Sequence, residues 1–306
     1  MPLSGVHILL TYACNFECDH CFLFCGPRAR GTFTIAQIRQ LLEQARDLGT
    51  VSSIYIEGGE PFLYYPVMVE SLRLAGEMGF RTGVISNCYW ATSKEDATLW
   101  LEPVTAAGIN DLSLSDDMFH HGSGEENPAA RASSAAIELG LASTSICIEN
   151  PQDQSPQDDK GKPVVGAGAM LRGRAAEKLA EGVSTRAVDT FRTCPYEDLV
   201  SPGRVHIDAF GNVHACQGVS IGNIWRKPLK TLMSEYDAEA HPICGPLVRG
   251  GPRALALEHG IELQGEFVDE CHYCYSVRRA MLDRFPEALT PLQVYGLEDD
   301  LPPDAQ

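Results

Sequence analysis

The sequence predicts an α/β protein, built as a partial (β/α)6 barrel and followed by a small α+β domain. Strand-like runs recur at fairly regular spacing between residues 6 and 170, and helical patterns lie between successive runs. Strand–helix alternation of this kind indicates a parallel sheet covered by helices. Six units are fewer than the eight that close a full barrel, so we expect a partial one. A hairpin signal further along the chain predicts the second domain.

The barrel elements are read from hydrophobic periodicity. The predicted strands cover residues 6–11, 52–57, 81–86, 111–116, 143–149 and 163–170. The clearest helix follows the first strand, where one helical stripe contains Ile35, Ile38, Leu41, Leu42, Ala45 and Leu48. Thr34 and Gln37 form a plausible capping box in front of it. Further helical patterns run through about 65–79, 94–107 and 127–140, and the polar stretch 150–163 is predicted to be a loop.

Alternation along the strands predicts which side chains face the interior of the barrel. In the second strand Ile54 and Ile56 should face the helices, which leaves Tyr55 and Glu57 inside. The same reasoning predicts a polar interior at strands 111–116 and 143–149. The residues expected to face the helices are Leu112, Leu114, Ile146 and Ile148, and those expected to face the interior are Ser113, Ser115, Ser145, Cys147 and Glu149.

Composition excludes several classes of function. The 306 residues carry a formal net charge of -17, which repels phosphate backbones and anionic lipid, so we expect neither nucleic acid nor membrane as a partner. No signal segment opens the chain and no apolar run could span a bilayer, so a cytoplasmic protein is expected. Eleven cysteines in such a protein indicate metal ligands or reactive thiols rather than disulfides.

Three of these cysteines form a compact motif after the first strand. Cys14, Cys18 and Cys21 are spaced as CxxxCxxC among polar neighbours. Thiolates at this spacing suit a soft metal and can hold three corners of a cubane iron–sulfur cluster. The fourth iron is then open to a small molecule unless Cys25 reaches it. A zinc site usually pairs two CxxC-type knuckles, and the simplest alternative is three buried, inert cysteines.

Other polar loops are expected at the same rim as the cysteine motif. The carboxyl ends of parallel strands meet at one edge, where ligands gather. Here the sequence places Gly58-Gly59-Glu60-Pro61, Ser86-Asn87-Cys88, Ser115-Asp116-Asp117 and Glu149-Asn150. Glycines let a backbone approach a ligand closely, and a carboxylate can accept hydrogen bonds from an ammonium group.

The CxxxCxxC motif after strand one and the GGEP motif after strand two resemble those of the radical SAM enzymes. The resemblance covers roughly residues 5–180. It implies that Cys14, Cys18 and Cys21 bind a 4Fe–4S cluster and that S-adenosylmethionine (SAM) chelates the fourth iron. It also implies anaerobic one-electron reduction by a flavodoxin- or ferredoxin-type donor, which releases a 5′-deoxyadenosyl radical.

The resemblance also assigns residues to SAM. By this correspondence the methionyl amino group would be contacted by Gly58, Gly59 and Glu60, and the ribose or carboxylate by Ser86, Asn87, Ser115 and Asp116. Arg172 or Arg174 resembles a basic position that helps to hold the carboxylate. His20 departs from the pattern, because the family often has an aromatic residue before the last cysteine.

The C-terminal cysteines resemble the SPASM or twitch extensions of the same family. The segment 204–216 is predicted to be a hairpin that turns at Gly211-Asn212, and RALALEHGIEL within 245–270 is predicted to be a helix. The resemblance implies one auxiliary 4Fe–4S cluster, held by Cys194, Cys216, Cys271 and Cys274 with Cys244 as a competing or spare ligand. A structural zinc site on the same four thiolates is the alternative. The nearby His214, His241 and His272 are expected to lie at the surface or to support the ligands.

These features predict three segments and one activity. Residues 1–183 should form the barrel, 184–295 the auxiliary-cluster domain and 296–306 a tail. The predicted activity is hydrogen abstraction from a peptide or protein, leading to maturation, crosslinking or oxidation. A small-molecule substrate is the alternative, and a non-catalytic iron–sulfur electron carrier is the rival of another class. No leader-binding domain is expected before the first strand. The candidates for hydrogen transfer or acid–base work are Cys25, Cys88, Cys147 and Glu149.

Overall fold

A computed structural model describes residues 2–122, 127–154, 164–166 and 168–297. Its strands are β1 (Gly5–Thr11), β2 (Ser53–Gly58), β3 (Arg81–Ser86), β4 (Asp111–Ser115), β5 (Ser143–Ile146), β6 (Gln152–Gln154), β7 (Val164–Gly166), β8 (Arg204–Asp208), β9 (Asn212–Cys216) and β10 (Val219–Asn223). Its helices are α1 (Ile35–Leu48), α2 (Tyr65–Glu77), α3 (Lys94–Ala106), α4 (Met118–His121), α5 (Pro128–Glu138), α6 (Arg174–Lys178), α7 (Leu229–Glu235), α8 (Cys244–His259) and α9 (Glu270–Arg279).

Eight of the described strands form one open sheet, in the order β10-β9-β8-β1-β2-β3-β4-β5. Strands β8, β1, β2, β3, β4 and β5 run parallel to one another, while β9 is antiparallel to both β8 and β10. This mostly parallel sheet, which does not close into a barrel, confirms the predicted α/β class and its first five strands.

The sixth strand predicted over 163–170 is not part of this sheet. Its described residues include β7, which pairs antiparallel with β6 in a separate two-stranded sheet. Residues 155–163 and 167 of the predicted loop and strand, and 298–306 of the predicted tail, lie outside the described residues. The prediction failed because a short apolar run carries no information about which strand it pairs with.

The C-terminal hairpin extends the main sheet instead. Strand β8 lies parallel to β1, with Val6 opposite Val205, His7 opposite His206, and Ile8 opposite Ile207. The two predicted segments therefore share one sheet, and a boundary at residues 183 and 184 stays a prediction.

Helices α1, α2, α3 and α5 cover one face of the sheet. Ile54, Ile56, Leu112 and Leu114 are fully buried against them, as alternation predicts. Helix α1 begins at the predicted capping box, in which the Thr34 side chain accepts from the Gln37 backbone and the Gln37 side chain accepts in return.

The opposite face of the sheet meets the C-terminal helices. A second apolar cluster joins β1 and the cysteine loop to α8 and α9, and contains Leu9, Tyr12, Leu247, Tyr273 and Tyr295. Helix α8 includes the predicted RALALEHGIEL segment as far as His259, and is kinked at Gly250 and Gly251. None of the helices within the described ranges has the length and apolar character that crossing a membrane requires.

Candidate active site and two cysteine groups

A cavity of about 380 Å³ opens at the carboxyl ends of β1 to β5. Four of the predicted loops meet there, and their lining residues include Cys14, Cys18, Cys21, Cys25, Gly58, Gly59, Ser86, Asn87 and Ser115. The structure therefore brings together the cysteine motif and most of the residues predicted to contact a cofactor beside it.

Backbone hydrogen bonds and a buried arginine shape the cysteine loop. Cys14 N donates to Gly26 O over 3.1 Å, which closes the loop at its base. Arg174 donates to the carbonyl oxygens of Cys18 (2.9 Å) and Cys25 (2.8 Å). Because of these hydrogen bonds, Arg174 is the one of the two predicted arginines that holds the loop. It is absent from the cavity lining.

The sulfur of Cys21 is held by Cys25. Its Sγ accepts from Cys25 N over 3.4 Å, and the Cys25 thiol also donates to it. The hydrogen bond from Cys25 lowers the pKa of Cys21, and the same bond together with burial raises that of Cys25. Burial raises the pKa of Cys14 to about 11 and of Cys18 to about 12. Cys25, which also lines the cavity, is thus placed to support Cys21.

The two glycines of GGEP are required for packing against the cysteine loop. A Cβ atom at Gly58, whose φ is +139°, would lie 2.2 Å from Thr11 O, and one at Gly59 would lie 2.1 Å from Ala13 O. Gly59 N donates to Thr11 O over 2.7 Å, and Glu60 N donates to Ala13 O over 2.9 Å. Only glycine lets these two loops approach so closely.

Glu60 is fully buried beneath the cavity. Its carboxylate accepts from Phe62 N (2.9 Å), Ser86 Oγ (3.0 Å) and Asn87 N (2.7 Å). Burial raises the pKa of Glu60 to about 7, against the opposing effect of these hydrogen bonds. The side chain joins the loops after β2 and β3 and does not line the cavity.

Asn87 connects this carboxylate to the cysteine loop. Its Nδ2 donates to Cys14 Sγ over 3.6 Å and to Asn15 Oδ1 over 2.9 Å. Hydrogen bonds to a thiolate stabilise its charged form. Asn87 is therefore placed to position Cys14.

The loop after β4 presents Asp117 rather than Asp116 to the cavity. Asp117 caps α4, accepts from the backbone of Phe119 and His120, and lies 2.9 Å from His120 Nδ1. Asp116 accepts hydrogen bonds from Asn127 and Ser145 and is absent from the lining. The buried Oδ2 of Asp117 has no hydrogen-bond partner among the described residues.

The C-terminal cysteines form a second group. Cys194, Cys216, Cys271 and Cys274, which are far apart in sequence, line one smaller cavity together with Arg172 and Arg278. Burial raises the pKa of Cys274 to about 11 and that of Cys271 well above its usual value. Arg172 lines both cavities, and its Nη1 donates to Cys216 Sγ over 2.8 Å.

The spacing of these sulfurs bears on the identity of the metal. A tetrahedral zinc–thiolate site holds its sulfurs about 3.8 Å apart, given a Zn–S bond of about 2.3 Å. Among the described residues, which include all eleven cysteines, no three cysteine sulfurs lie within 4.8 Å of one another. A four-iron cluster binds each thiolate at a separate iron, so its ligands lie further apart. Within the described residues, neither cysteine group holds three sulfurs as close together as a zinc–thiolate site requires.

Arg278 adds an unbalanced positive charge beside the second group. It is 1% exposed, donates to Gln217 O (2.9 Å) and Tyr295 Oη (3.1 Å), and its Nε makes no hydrogen bond. Its interactions with Tyr295, Cys274 and Cys216 outweigh burial and raise its pKa. Within the described ranges no carboxylate forms an ion pair with it. A buried guanidinium requires a nearby anion, which thiolates carrying a cluster would supply.

The spare cysteine and the three neighbouring histidines have structural contacts. Cys244 is fully buried at the start of α8, is absent from the lining of the second cavity, and interacts with Tyr236. His241 accepts from Cys244 N, and His272 from Val268 N. His214 is not at the surface: it is buried, and its Nε2 lies 3.0 Å from Asp208 Oδ2.

The structure separates the four residues proposed for hydrogen transfer or acid–base work. Cys88 is buried in the apolar cluster under the helices, away from the cavity. Cys147 and Glu149 are exposed and absent from the lining, whereas Ile146 and Ile148 line it. The predicted orientation of this strand was wrong. The alternation continues through Ile148 with the opposite phase, because β5 lies at the edge of the sheet and its apolar side chains line the cavity.

Two cavity histidines escaped the sequence analysis. His7 of β1 and His206 of β8 line the cavity together with Glu57 of β2, which was predicted to face inward. The signal for both was a repeated Val-His-Ile, at 6–8 and 205–207, with a polar residue alternating between apolar ones. Nothing in the sequence shows that these two segments pair.

Parts of this chain are similar to known proteins. Residues 8–135 match the family model described as the radical SAM superfamily. YydG of Bacillus subtilis (strain 168), which is named for peptide biosynthesis, is 28% identical over 38% of this chain and 36% of its own. The antilisterial bacteriocin subtilosin biosynthesis protein AlbA of the same organism is 40% identical over 21% of this chain and 14% of its own.

Among solved structures, SuiB of Streptococcus suis bound to S-adenosylmethionine has a TM-score of 0.43 and 13% identity. The match covers 76% of this chain and 65% of that one. The chain spans about a third of the length of one of the two curated relatives and about a seventh of the other.

Proposed function

Since residues 8–135 match the radical SAM superfamily, we propose that this chain binds a 4Fe–4S cluster on Cys14, Cys18 and Cys21 and cleaves S-adenosylmethionine reductively. The observation that carries the proposal is the convergence of these three thiols with the GGEP and Ser86-Asn87 loops on one cavity. Three thiolates leave one iron without a protein ligand. The amino and carboxylate groups of SAM would occupy that position.

The residues around the cavity would hold and orient SAM. When bound, the cluster supplies one electron to the sulfonium and so releases a 5′-deoxyadenosyl radical that abstracts hydrogen from a substrate. Backbone groups of Gly58 and Gly59 lie at the lining and would accept from the methionyl ammonium. Ser115 would contact the ribose or carboxylate, and Asn87 would position Cys14. Glu60, buried beneath the cavity, would hold Ser86 and Asn87 in place through the hydrogen bonds that its carboxylate accepts from them.

We further propose one auxiliary 4Fe–4S cluster on Cys194, Cys216, Cys271 and Cys274. Its support is the pair of buried guanidinium groups, Arg172 and Arg278, against these thiols. Glu197, 3.5 Å from Arg172, is the one carboxylate that offsets them among the described residues. A cluster with four thiolate ligands would balance the remaining positive charge. It would accept an electron from a substrate radical.

The proposed substrate is a peptide or a protein side chain or backbone. Two relatives, YydG and AlbA, are named for the biosynthesis of peptides, and this is the support for the substrate class. The electron would come from a flavodoxin- or ferredoxin-type donor.

The test of substrate class is isotope transfer. Short peptides encoded beside the gene, deuterated at every carbon, would be incubated anaerobically with the cluster-loaded protein, SAM and reductant. Mass spectrometry should find deuterium in 5′-deoxyadenosine, and the Cys18→Ala variant serves as the control. Deuterium arriving only from small metabolites would contradict the peptide proposal. Cluster spectra without any 5′-deoxyadenosine would instead indicate an iron–sulfur electron carrier.

A further inference from the structure

Three metal-ligating side chains other than the cysteines converge at the lining of the main cavity. His7, Glu57 and His206 come from the adjacent strands β1, β2 and β8. One donor atom from each lies within 4.8 Å of the other two. Glu57 Oε1 lies 2.9 Å from His206 Nε2, and Glu57 Oε2 lies 3.3 Å from His7 Nδ1.

The rigidity of the sheet fixes this arrangement. His7 and His206 face each other in register across the parallel pair β1 and β8, with ring centroids 5.1 Å apart. Tyr55 stacks on the other side of His7, at 5.1 Å and with an interplanar angle of 16°. Donors carried by neighbouring strands are held more precisely than donors on loops.

The hydrogen bonding of the trio is incomplete without a ligand. His7 Nδ1 is buried and lies 3.3 Å from Glu57 Oε2. The two atoms are not aligned as a hydrogen bond, because the imidazole ring does not point Nδ1 at that oxygen. Although burial opposes it, interaction with His206 and His7 lowers the pKa of Glu57, so the carboxylate is ionised at neutral pH.

A side-chain amide lies next to the trio. Gln217 Nε2 lies 3.4 Å from His206 Nδ1 and 3.3 Å from His206 Nε2, and its Oε1 is buried without a hydrogen-bond partner in the described residues. The amide oxygen is therefore a further polar atom beside the ring that a bound ligand could satisfy.

We propose that His7, Glu57 and His206 form a binding site for a divalent transition-metal ion of the zinc, iron(II) or manganese(II) class. Two imidazole nitrogens and one carboxylate oxygen are a donor set that suits these ions, and three protein ligands leave coordination positions open. The three residues line the cavity, so the open positions are reached from it. They would take a carbonyl or carboxylate oxygen of a bound substrate. This site does not depend on SAM cleavage.

The site is tested by anomalous X-ray scattering. The crystals would be grown from cluster-loaded protein in the presence of zinc. Data above and below the zinc edge should show a peak about 2.0–2.2 Å from one atom of each residue. The peak should disappear in Glu57→Gln and His206→Gln and persist in Tyr55→Phe, whose side chain stacks on His7 but offers no ligand. Mass spectrometry of the metal content should show the loss of one zinc per chain in the first two variants alone.

Two results would overturn the proposal. One is the absence of a peak at the trio in the wild-type protein with zinc in excess, which would leave a hydrogen-bonded His–Glu–His group. The other is a peak and a zinc content that survive in both Glu57→Gln and His206→Gln. Loss of SAM cleavage with an intact zinc peak would contradict the proposed function and leave this site standing.

Discussion

Arg172 donates a hydrogen bond from Nη1 to Cys216 Sγ over 2.8 Å, and so connects the main cavity to the second cysteine group. The resemblance placed this arginine at the carboxylate of SAM. In the structure its guanidinium faces the C-terminal thiols, with Glu197 at 3.5 Å. Its partner at those thiols is Arg278, which lacks a carboxylate among the described residues. The charge beside an auxiliary cluster is therefore set by these two side chains.

Replacement of Arg278 by Met should make the reduction potential of the auxiliary cluster more negative. The buried cation stabilises the added electron, and the low dielectric around it makes the effect large. A redox titration followed by electron paramagnetic resonance measures the potential. Arg279→Met is the matched control, because the neighbouring Arg279 is exposed and paired with Glu177. An unchanged potential in Arg278→Met would show that the cluster lies elsewhere.

Cys271→Ala should lower the iron content by roughly four atoms per chain and leave SAM cleavage intact. Cys271 belongs to the second cysteine group, and the loop that carries Cys14 is separate from it. Iron analysis and 5′-deoxyadenosine formation are measured on the same preparation. Cys244→Ala should keep the iron, since Cys244 is absent from that cavity. If Cys271→Ala retains all its iron, the proposed ligand set is wrong.

Cys18→Ala should abolish SAM cleavage, because two thiolates hold a cluster poorly. The measurement is 5′-deoxyadenosine formed from SAM and dithionite. Cys147→Ala is the control, since that thiol is exposed and outside the cavity lining. Activity that survives in Cys18→Ala, or disappears in Cys147→Ala, would contradict the assignment.

Glu60 should make stability depend on pH. Its pKa is raised from 4.5 to about 7, so the folded protein binds more protons than the unfolded chain between these values. Its contribution is complete below pH 4.5 and is lost as the pH rises towards 7, by up to about 3 kcal/mol. Glu60→Gln removes this titration. Anaerobic urea denaturation should therefore show a shallower fall in the free energy of unfolding between pH 5 and 7 in the variant. Parallel profiles for the two proteins would contradict the raised pKa.

The sequence was informative wherever the signal is local. The capping box of Thr34 and Gln37, the strands up to β4, and the rim loops around Gly58 and Asn87 all follow from periodicity and turn chemistry. Each depends on residues close together in the chain, so a single sequence contains the information.

Features that depend on long-range pairing could not be predicted. One of the two partners of β1 is β8, some two hundred positions later, and this pairing brings His206 to His7. The burial of Arg278 against Cys274 and Cys216 depends on the packing of α9. The orientation of Cys147 failed because Ile146 of the edge strand β5 lines the cavity, whereas the apolar residues of this strand were expected to face the helices.

The central claim is tested most directly by incubating the anaerobically reconstituted protein with SAM and dithionite and measuring 5′-deoxyadenosine. The account predicts formation of 5′-deoxyadenosine, with about eight iron atoms per chain for two clusters. A protein that carries iron but forms no 5′-deoxyadenosine, or one that binds zinc and no iron, would contradict it.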